Sequence, residues 1–267
     1  MDTTDAPALP DTRAYAGFRV EYAPARATVV LDRPDRLNCQ SPAMWDDLVR
    51  ARRELPGDVR VVVLRAEGRA FSAGLDRAVF TSTGADNIAA LGTLPADEAT
   101  ARIAGWQRAF DWSSSADLVT IAAVQGHAIG GGFQLALGCD IRIVADDVLF
   151  CMAEPTLGIV PDLGGTKRLV DLVGVSRATE ICLTGRRVDA AEALRIGLAS
   201  HVVPAGELDA AVERTAAAVL GIDRNAAAET KALLQRAPGR SQDEQQAAER
   251  EAQYRRLRTI AGLDAEA

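Results

Sequence analysis

The chain has 267 residues, of which 48% are hydrophobic and 25% are charged, so it can bury a full globular core. Its formal net charge of −7 argues against a nucleic-acid partner or an acidic membrane surface. No uninterrupted apolar run reaches the ~18 residues that a bilayer-spanning helix needs, so no membrane span is expected.

Two further features bear on location. Residues 1–16 are acidic and contain proline, and they lack the basic start and apolar stretch of a secretion signal, which predicts a flexible N-terminal tail. The four cysteines are widely spaced and form no C-x-x-C motif. This spacing is typical of reduced, mostly buried thiols in a cytoplasmic protein, and it indicates neither a disulfide framework nor a metal site.

Short segments rich in valine and isoleucine predict strands. They lie at 27–32, 61–66, 119–124 and 141–145. Helical patterns separate them: Ser41 is placed to cap a helix that starts at Pro42, and Ile103, Trp106 and Phe110 mark another helix. Strands that alternate with helices predict an α/β fold with largely parallel sheets.

The strand signal stops after "HVVP" at 201–204. Residues 205–267 keep helical spacing throughout and are rich in Ala, Glu and Gln toward the end. The sequence therefore predicts a mixed core followed by a helical C-terminal appendage.

The stretch "HAIGGGFQLALGCD" at 127–140 places three glycines at the start of a predicted helix. Glycine weakens a helix, so such a run indicates that the backbone itself has a role there. A helix start offers unpaired N–H groups to an anion or to an oxygen that becomes negative during a reaction. The spacing matches no phosphate-binding loop, but tight packing of the helix on a sheet would explain the glycines equally well.

Five blocks, taken together and in order, resemble the crotonase family of acyl-CoA enzymes, which includes enoyl-CoA hydratases and enoyl-CoA isomerases. They are "RPDRLN" (33–38), "GRAFSAGLD" (68–76), "GHAIGGGFQLALGCDIRIVA" (126–145), "EPTLGIVPDLGGTKRL" (154–169) and the segment 193–204 that ends in "GLASHVVP". The resemblance implies a crotonase-type spiral of β-β-α turns over 17–204 and a helical trimerisation region over 205–267. It also implies a homotrimer or a hexamer.

The resemblance also implies an oxyanion hole. The backbone N–H groups of Leu75 and Gly131 would point at the thioester carbonyl of an acyl-CoA and would stabilise the enolate that forms there. Coenzyme A is then part of the substrate, and no separate cofactor is expected.

The acid residues bear on the reaction type. Hydratases of the family hold a water between two glutamates, and Glu154 matches the second of them, whereas Gln134 stands in place of the first. An amide cannot act as a base near neutral pH, so the resemblance favours double-bond isomerisation with Glu154 as the proton shuttle. The alternatives are a hydratase in which Gln134 positions the water and, more remotely, a non-catalytic acyl-CoA-binding protein.

Asp162 has two interpretations. The dienoyl-CoA isomerases of the family carry an aspartate at this spacing from Glu154 as a second proton-transfer group, but they also have an acid where Gln134 stands. Asp162 could equally be the N-cap of the helix that "LGGTKRLV" predicts.

The CoA-binding segments follow from the same resemblance. The residues expected to bind CoA through backbone groups are Arg36, Leu37, Cys39, Ala73 and Asp76. Arg36, Arg69 and Arg77 are candidates for the CoA phosphates, His127 could contact substrate or simply pack, and the segment 77–106 is expected to shape the acyl pocket.

A serine-hydrolase site is a rival hypothesis. "AFSAG" at 70–74 is one residue away from the G-x-S-x-G elbow, and His201 lies downstream of Ser72.

Overall fold

A computed structural model describes residues 12–80 and 87–263. The strands in these ranges are β1 Thr12–Tyr15, β2 Phe18–Ala23, β3 Arg26–Leu31, β4 Val61–Ala66, β5 Val119–Val124, β6 His127–Ile129, β7 Ile141–Ala145, β8 Leu149–Cys151, β9 Val188–Asp189 and β10 His201–Val203. The α-helices in them are α1 Pro42–Arg53, α2 Ala96–Gln107, α3 Gly131–Leu137, α4 Gly165–Val173, α5 Val175–Thr184, α6 Ala190–Arg195, α7 Leu208–Leu220, α8 Arg224–Arg236 and α9 Gln242–Ile260.

The strands form two sheets. The larger sheet has the order β1-β2-β3-β4-β5-β7-β10, antiparallel from β1 to β3 and parallel from β3 onward. The smaller sheet has the order β6-β8-β9, with β6 and β8 parallel. Successive turns of the chain therefore add parallel strands to both sheets.

The connectivity is a spiral. The chain passes from β5 in the large sheet to β6 in the small sheet and then into α3, and the next turn repeats this order with β7, β8 and α4. A bridge between Ser72 and Ala128 and another between Gln40 and Leu75 continue the same stacking in earlier turns. The predicted spiral of β-β-α turns is confirmed.

The large sheet is buried on both faces. Val62 and Leu64 of β4 point into the main core, whereas Val61 and Val63 pack in a second cluster with Leu208 and other apolar residues of α7. This alternation along β4 is the two-residue period of a strand, and it explains why residues 61–64 are all apolar, without alternating polar residues.

The predicted strands at 61–66, 119–124 and 141–145 match the structure. The strand predicted at 27–32 is shifted by one residue, to 26–31. Ser41 caps α1 as expected, because its side chain accepts a hydrogen bond from the N–H of Met44 at 3.3 Å. The region 205–263 is helical, as predicted. All four cysteines lie in the described ranges and are free thiols.

The prediction of a flexible tail over 1–16 is wrong for the part of it that is described. Residues 12–15 form β1, which pairs with β2. Tyr15 stacks on Phe18 at 4.8 Å between ring centroids, and its hydroxyl donates to Glu54 at 2.9 Å, so an aromatic anchor offsets the polar composition. Residues 1–11 lie outside the described ranges.

Candidate active site

A cavity of 490 Å³ lies between the carboxyl ends of β6 and β8 in the small sheet and the segment around α2. Its lining is mostly apolar, and the polar side chains in it include Glu154 and Asp162. The described parts of the predicted pocket segment 77–106 contribute to the wall, and its residues 81–86 lie outside the described ranges. The lining residues from this segment are Arg77, Phe80, Ile88, Leu91, Ile103 and Trp106.

The backbone of Leu75 is fixed by a short bridge to Gln40. The N–H of Gln40 donates to the carbonyl of Gly74 at 2.8 Å, and the N–H of Asp76 donates to the carbonyl of Gln40 at 2.8 Å. In a trans peptide the C=O and the following N–H point in opposite directions. The N–H of Leu75 therefore points away from Gln40, and it donates to no acceptor among the described residues.

Gly131 presents a second free N–H at the start of α3. The carbonyl of Gly130 accepts the first bond of this helix, from the N–H of Gln134 at 2.9 Å, so the N–H of Gly131 points out of the helix. The turn at Gly74 lies against it: a Cβ built on Gly74 would be 3.3 Å from the nitrogen of Gly131. The structure thus brings the predicted pair, Leu75 and Gly131, to one wall of the cavity.

The three glycines of the run are required for different reasons. Gly130 has a φ of +51°, and a Cβ there would lie 3.0 Å from a carboxylate oxygen of Glu154. A Cβ on Gly131 would lie 2.8 Å from the side-chain oxygen of Gln40, and one on Gly132 would lie 2.5 Å from the carbonyl of Ser72. The close packing that the sequence allows is therefore present at all three glycines, and the role of the bare helix start in stabilising an oxyanion stays a prediction.

Glu154 is buried, with 7% of its surface exposed, and it begins the short 3-10 helix Glu154–Leu157 beside the glycine run. Its Oε1 accepts a hydrogen bond, but its Oε2 is buried and has no partner among the described residues. Burial raises the pKa of this carboxyl, and the charge of Asp162 raises it further, whereas the bond from Gln134 lowers it. A buried carboxyl with one free oxygen and a raised pKa is suited to proton transfer.

Gln134 has a defined orientation because its oxygen and its nitrogen have different partners. Its Oε1 accepts from the N–H of Leu163 at 3.0 Å and from that of Gly165 at 3.1 Å. Its Nε2 donates to Glu154 Oε1 at 2.8 Å. The amide therefore links α3 and the start of α4 to the acid, and no water lies between the two side chains at this distance.

Asp162 lines the same cavity, and burial raises the pKa of its carboxyl. The hypothesis that Asp162 is the N-cap of the following helix is wrong. α4 begins at Gly165, its N-cap is Gly164, and no side chain caps it in the usual way. The N–H of Gly165 instead donates to the side-chain oxygen of Gln134. Because Gln134 lies 31 residues earlier in the chain, the sequence around α4 does not show this contact.

A second cavity, of 600 Å³, holds the predicted CoA-binding residues. It shares Ala73, Leu75, Arg77 and Ile129 with the first cavity, so the two cavities adjoin each other. All five predicted CoA residues line it: Arg36, Leu37, Cys39, Ala73 and Asp76. Arg36 forms an ion pair with Asp76 at 2.8 Å.

The other residues predicted to contact CoA or substrate differ in whether they line a cavity. Arg77 and His127 line the second cavity, whereas Arg69 is exposed and lines neither cavity. Arg187 also lines it, a residue that the sequence interpretation missed because it lies in a later turn of the spiral, outside the recognised blocks. No local sequence signal marks this arginine.

The serine-hydrolase hypothesis is wrong. Ser72 is fully buried, its hydroxyl donates to the carbonyl of Asn38 at 2.8 Å, and His201 lies exposed on β10, away from it. Ser72 contacts His127 only through a backbone bond, from its N–H to the His127 carbonyl at 2.9 Å. The Ser72 hydroxyl is bonded to Asn38, Gln40 and Gly74 and to neither imidazole, so no base is available to activate it.

Residues 12–80 and 87–263 contain no cluster of three or more His, Cys, Asp or Glu side chains that is arranged to hold a metal ion. None of the helices in these ranges combines the length and the apolar character that a membrane crossing requires.

The family model described as enoyl-CoA hydratase/isomerase matches residues 24–261, and the chain belongs to this family. A relative from Mycobacterium tuberculosis, named a probable enoyl-CoA hydratase, is 34% identical over 227 residues, which are 84% of this chain and 82% of the relative. A mitochondrial dienoyl-CoA isomerase of Dictyostelium discoideum is 32% identical over 188 residues, which are 67% of this chain and 61% of the relative.

Solved structures agree with this assignment. A protein of Thermobifida fusca YX that carries a provisional enoyl-CoA hydratase name superposes with a TM-score of 0.89 at 46% identity, over 93% of this chain and 95% of that one. Its complex with acetoacetyl-CoA superposes with a TM-score of 0.86 at 45% identity, over 91% and 95% of the chains. The fold and the binding of CoA thioesters are therefore properties of close relatives, and this chain is an enzyme of the hydratase/isomerase type.

Proposed function

We propose that this enzyme moves the double bond of an unsaturated acyl-CoA, converting a 3-enoyl-CoA to a 2-enoyl-CoA or isomerising a dienoyl-CoA. One observation carries the proposal: Gln134 donates directly to Glu154 at 2.8 Å. In a hydratase, a water would lie between the side chains at these two positions. Here the amide nitrogen is bonded directly to the carboxylate, and the amide oxygen is already bonded to two backbone N–H groups.

The proposed reaction uses one acid. Glu154 takes a proton from C2 of the 3-enoyl thioester, and the electrons move onto the carbonyl oxygen to give a dienolate. The N–H groups of Leu75 and Gly131 stabilise this oxyanion. Glu154 then returns the proton to C4, the C2–C3 double bond forms, and the carbonyl is restored, so that no atom is gained or lost.

Burial gives Glu154 a basicity that suits this role. A carboxyl with a raised pKa is a stronger base than an exposed one and still gives up its proton readily to the dienolate. Asp162 lines the same cavity and supports a role in proton transfer along a dienoyl chain. The mostly apolar lining fits a hydrocarbon acyl group, and the second cavity would take the CoA moiety.

Hydration of 2-enoyl-CoA is the second candidate. The names of most of the relatives favour it, because they are called hydratases. In that reaction Glu154 would have to act as both base and acid, with Gln134 orienting the water from its remaining amide hydrogen.

The test is the conversion of a 3-enoyl-CoA to the conjugated thioester, followed by ultraviolet absorbance. We expect turnover by the wild-type enzyme and a loss of about 10²–10⁴-fold in Glu154→Gln. Glu249→Gln makes the same chemical change at an exposed position of α9 and should leave the rate unchanged. Equal rates in wild type and Glu154→Gln would contradict the assignment of Glu154.

We also propose that the protein assembles as a homotrimer or a hexamer through its helical C-terminal region. The support is a set of large apolar side chains that are exposed in the isolated chain: Ile222, Leu234, Tyr254, Leu257, Ile260 and Leu263. Light scattering at micromolar concentration tests the proposal, and a monomeric mass would contradict it.

A further inference from the structure

Gln40 occupies an unusual position for a polar side chain. It is fully buried, and its side chain is bonded on both sides: Trp45 Nε1 donates to its Oε1 at 3.0 Å, and its Nε2 donates to Ser72 Oγ at 3.3 Å. Burying an amide is favourable only where its hydrogen bonds are satisfied, so this arrangement defines one orientation of the side chain.

The backbone of Gln40 fixes the first oxyanion donor. Its N–H and C=O bond to Gly74 and Asp76, on either side of Leu75, and this is what directs the N–H of Leu75 away from Gln40. Ser72, which accepts from the Gln40 amide, also accepts from the N–H of Gly74 at 3.1 Å. The peptide that leads into Leu75 is therefore held from two directions.

The side chain of Gln40 also lies behind the second donor. Its Oε1 is 2.8 Å from the point that a Cβ on Gly131 would occupy, so the amide packs against the Cα of Gly131. Trp45, which donates to this same oxygen, lines the acyl cavity. One residue thus contacts both halves of the oxyanion hole, through its backbone on either side of Leu75 and through its side chain at Gly131. The same side chain accepts from Trp45 in the wall of the acyl pocket.

We infer that Gln40 is a positioning residue that holds the N–H groups of Leu75 and Gly131 in the geometry that polarises the thioester carbonyl. This inference rests on the proposed oxyanion hole but not on the choice between isomerisation and hydration. Gln40 does not face the reacting atoms itself. It acts through the Gly74–Leu75 peptide and the Cα of Gly131, and its removal should reduce catalysis more than binding.

The test measures the thioester carbonyl directly. A saturated acyl-CoA labelled with ¹³C at the carbonyl, such as butyryl-CoA, can be neither isomerised nor hydrated, and its carbonyl stretch falls when hydrogen bonds polarise it. We expect the carbonyl frequency of bound butyryl-CoA to be lowered on the wild-type enzyme and to be lowered less on Gln40→Met. With an unsaturated acyl-CoA substrate, kcat of Gln40→Met should fall by about tenfold or more, with little change in KM. Ser72→Ala, which introduces no larger side chain, should shift the frequency in the same direction.

The matched control is Gln125→Met. This amide is partly buried and holds the carbonyls of Ala66 and Gly68 at 2.8 and 3.1 Å, outside both cavities. We expect a fall in Tm for this variant without a change in carbonyl frequency. If Gln40→Met and Ser72→Ala fold and bind the probe with the wild-type frequency and kcat, the inference is overturned while the oxyanion hole stands. If the wild-type enzyme itself does not lower the frequency, the oxyanion hole and the inference fail together.

Discussion

Replacing Gln134 by glutamate restores the second acid that the family's hydratases use, and the structure defines what the substitution changes. One carboxylate oxygen can keep the bonds from the N–H groups of Leu163 and Gly165. The other oxygen replaces the amide nitrogen that donates to Glu154 at 2.8 Å, so a donor becomes an acceptor. The fold around the start of α4 is therefore retained, and the change is confined to the contact with Glu154.

The size of that change follows from the short contact. Two full charges about 4 Å apart repel by ~4 kcal/mol at an effective dielectric constant of ~20. The repulsion keeps a proton on the pair at neutral pH, and the two groups titrate together. The pair then has both an acid and a base on the same side of the substrate, and loss of the amide bond allows a water between them.

We expect hydration of a 2-enoyl-CoA by Gln134→Glu to rise by about 10²-fold over wild type, the lower end of what an added acid–base group typically contributes. Isomerisation should fall, because ionised Glu154 is now disfavoured. Both rates are measured by mass spectrometry, since hydration adds one water and isomerisation leaves the mass unchanged. Gln253→Glu, on an exposed face of α9, is the control. Hydration that is unchanged or lowered in Gln134→Glu would refute the reasoning.

Four other outcomes are expected. Because burial raises the pKa of Glu154, the folded state holds the carboxyl proton to higher pH than the unfolded state, and stability falls as the pH rises from the unfolded-state pKa through the folded-state pKa. Glu154→Gln should remove that fall and raise Tm at neutral pH, whereas an unchanged Tm would argue against the raised pKa. Asp162→Asn removes a charge that raises the pKa of Glu154, so the acid limb of the pH profile of kcat/KM should move to lower pH. An unmoved limb would mean that the charge of Asp162 does not affect the ionisation of Glu154. Arg187→Ala should raise KM for acyl-CoA by about tenfold but leave KM for the corresponding acyl-pantetheine unchanged, and Arg177→Ala is the exposed control. Equal effects on both substrates would contradict a role of Arg187 in binding the part of CoA beyond the pantetheine. Leu91→Trp should fill part of the acyl cavity and lower kcat/KM for long acyl chains at least tenfold relative to short ones, which a chain-length series in steady-state kinetics would check and a uniform effect would contradict.

The sequence predicts the fold well wherever a strand is buried on both faces. β4, β5 and β7 are rich in Val and Ile, with one polar residue in each, and the structure has them at the predicted residues. β6, β8 and β9 were missed because they have only two or three residues each, too few to show a period. β1 was missed because its anchor, Tyr15 stacked on Phe18, is a contact between side chains within an otherwise polar segment.

The candidate site was predictable where a block resembles the crotonase family. The resemblance of residues 68–76 and 126–145 implied the pair Leu75 and Gly131, and the structure has both residues on one cavity wall. The partners of Gln134 were not predictable, because its bonds to Leu163 and Gly165 join positions 29 and 31 residues away. Only the folded spiral brings those backbone groups to the amide.

The most direct test of the account compares two rates of the wild-type enzyme under identical conditions. A 3-enoyl-CoA and the corresponding 2-enoyl-CoA are incubated separately, and the products are quantified by mass spectrometry and absorbance. Because Gln134 bonds directly to Glu154, we expect isomerisation of the 3-enoyl-CoA to outpace hydration of the 2-enoyl-CoA. Hydration that is faster than isomerisation would contradict it, and would mean that another group activates the water.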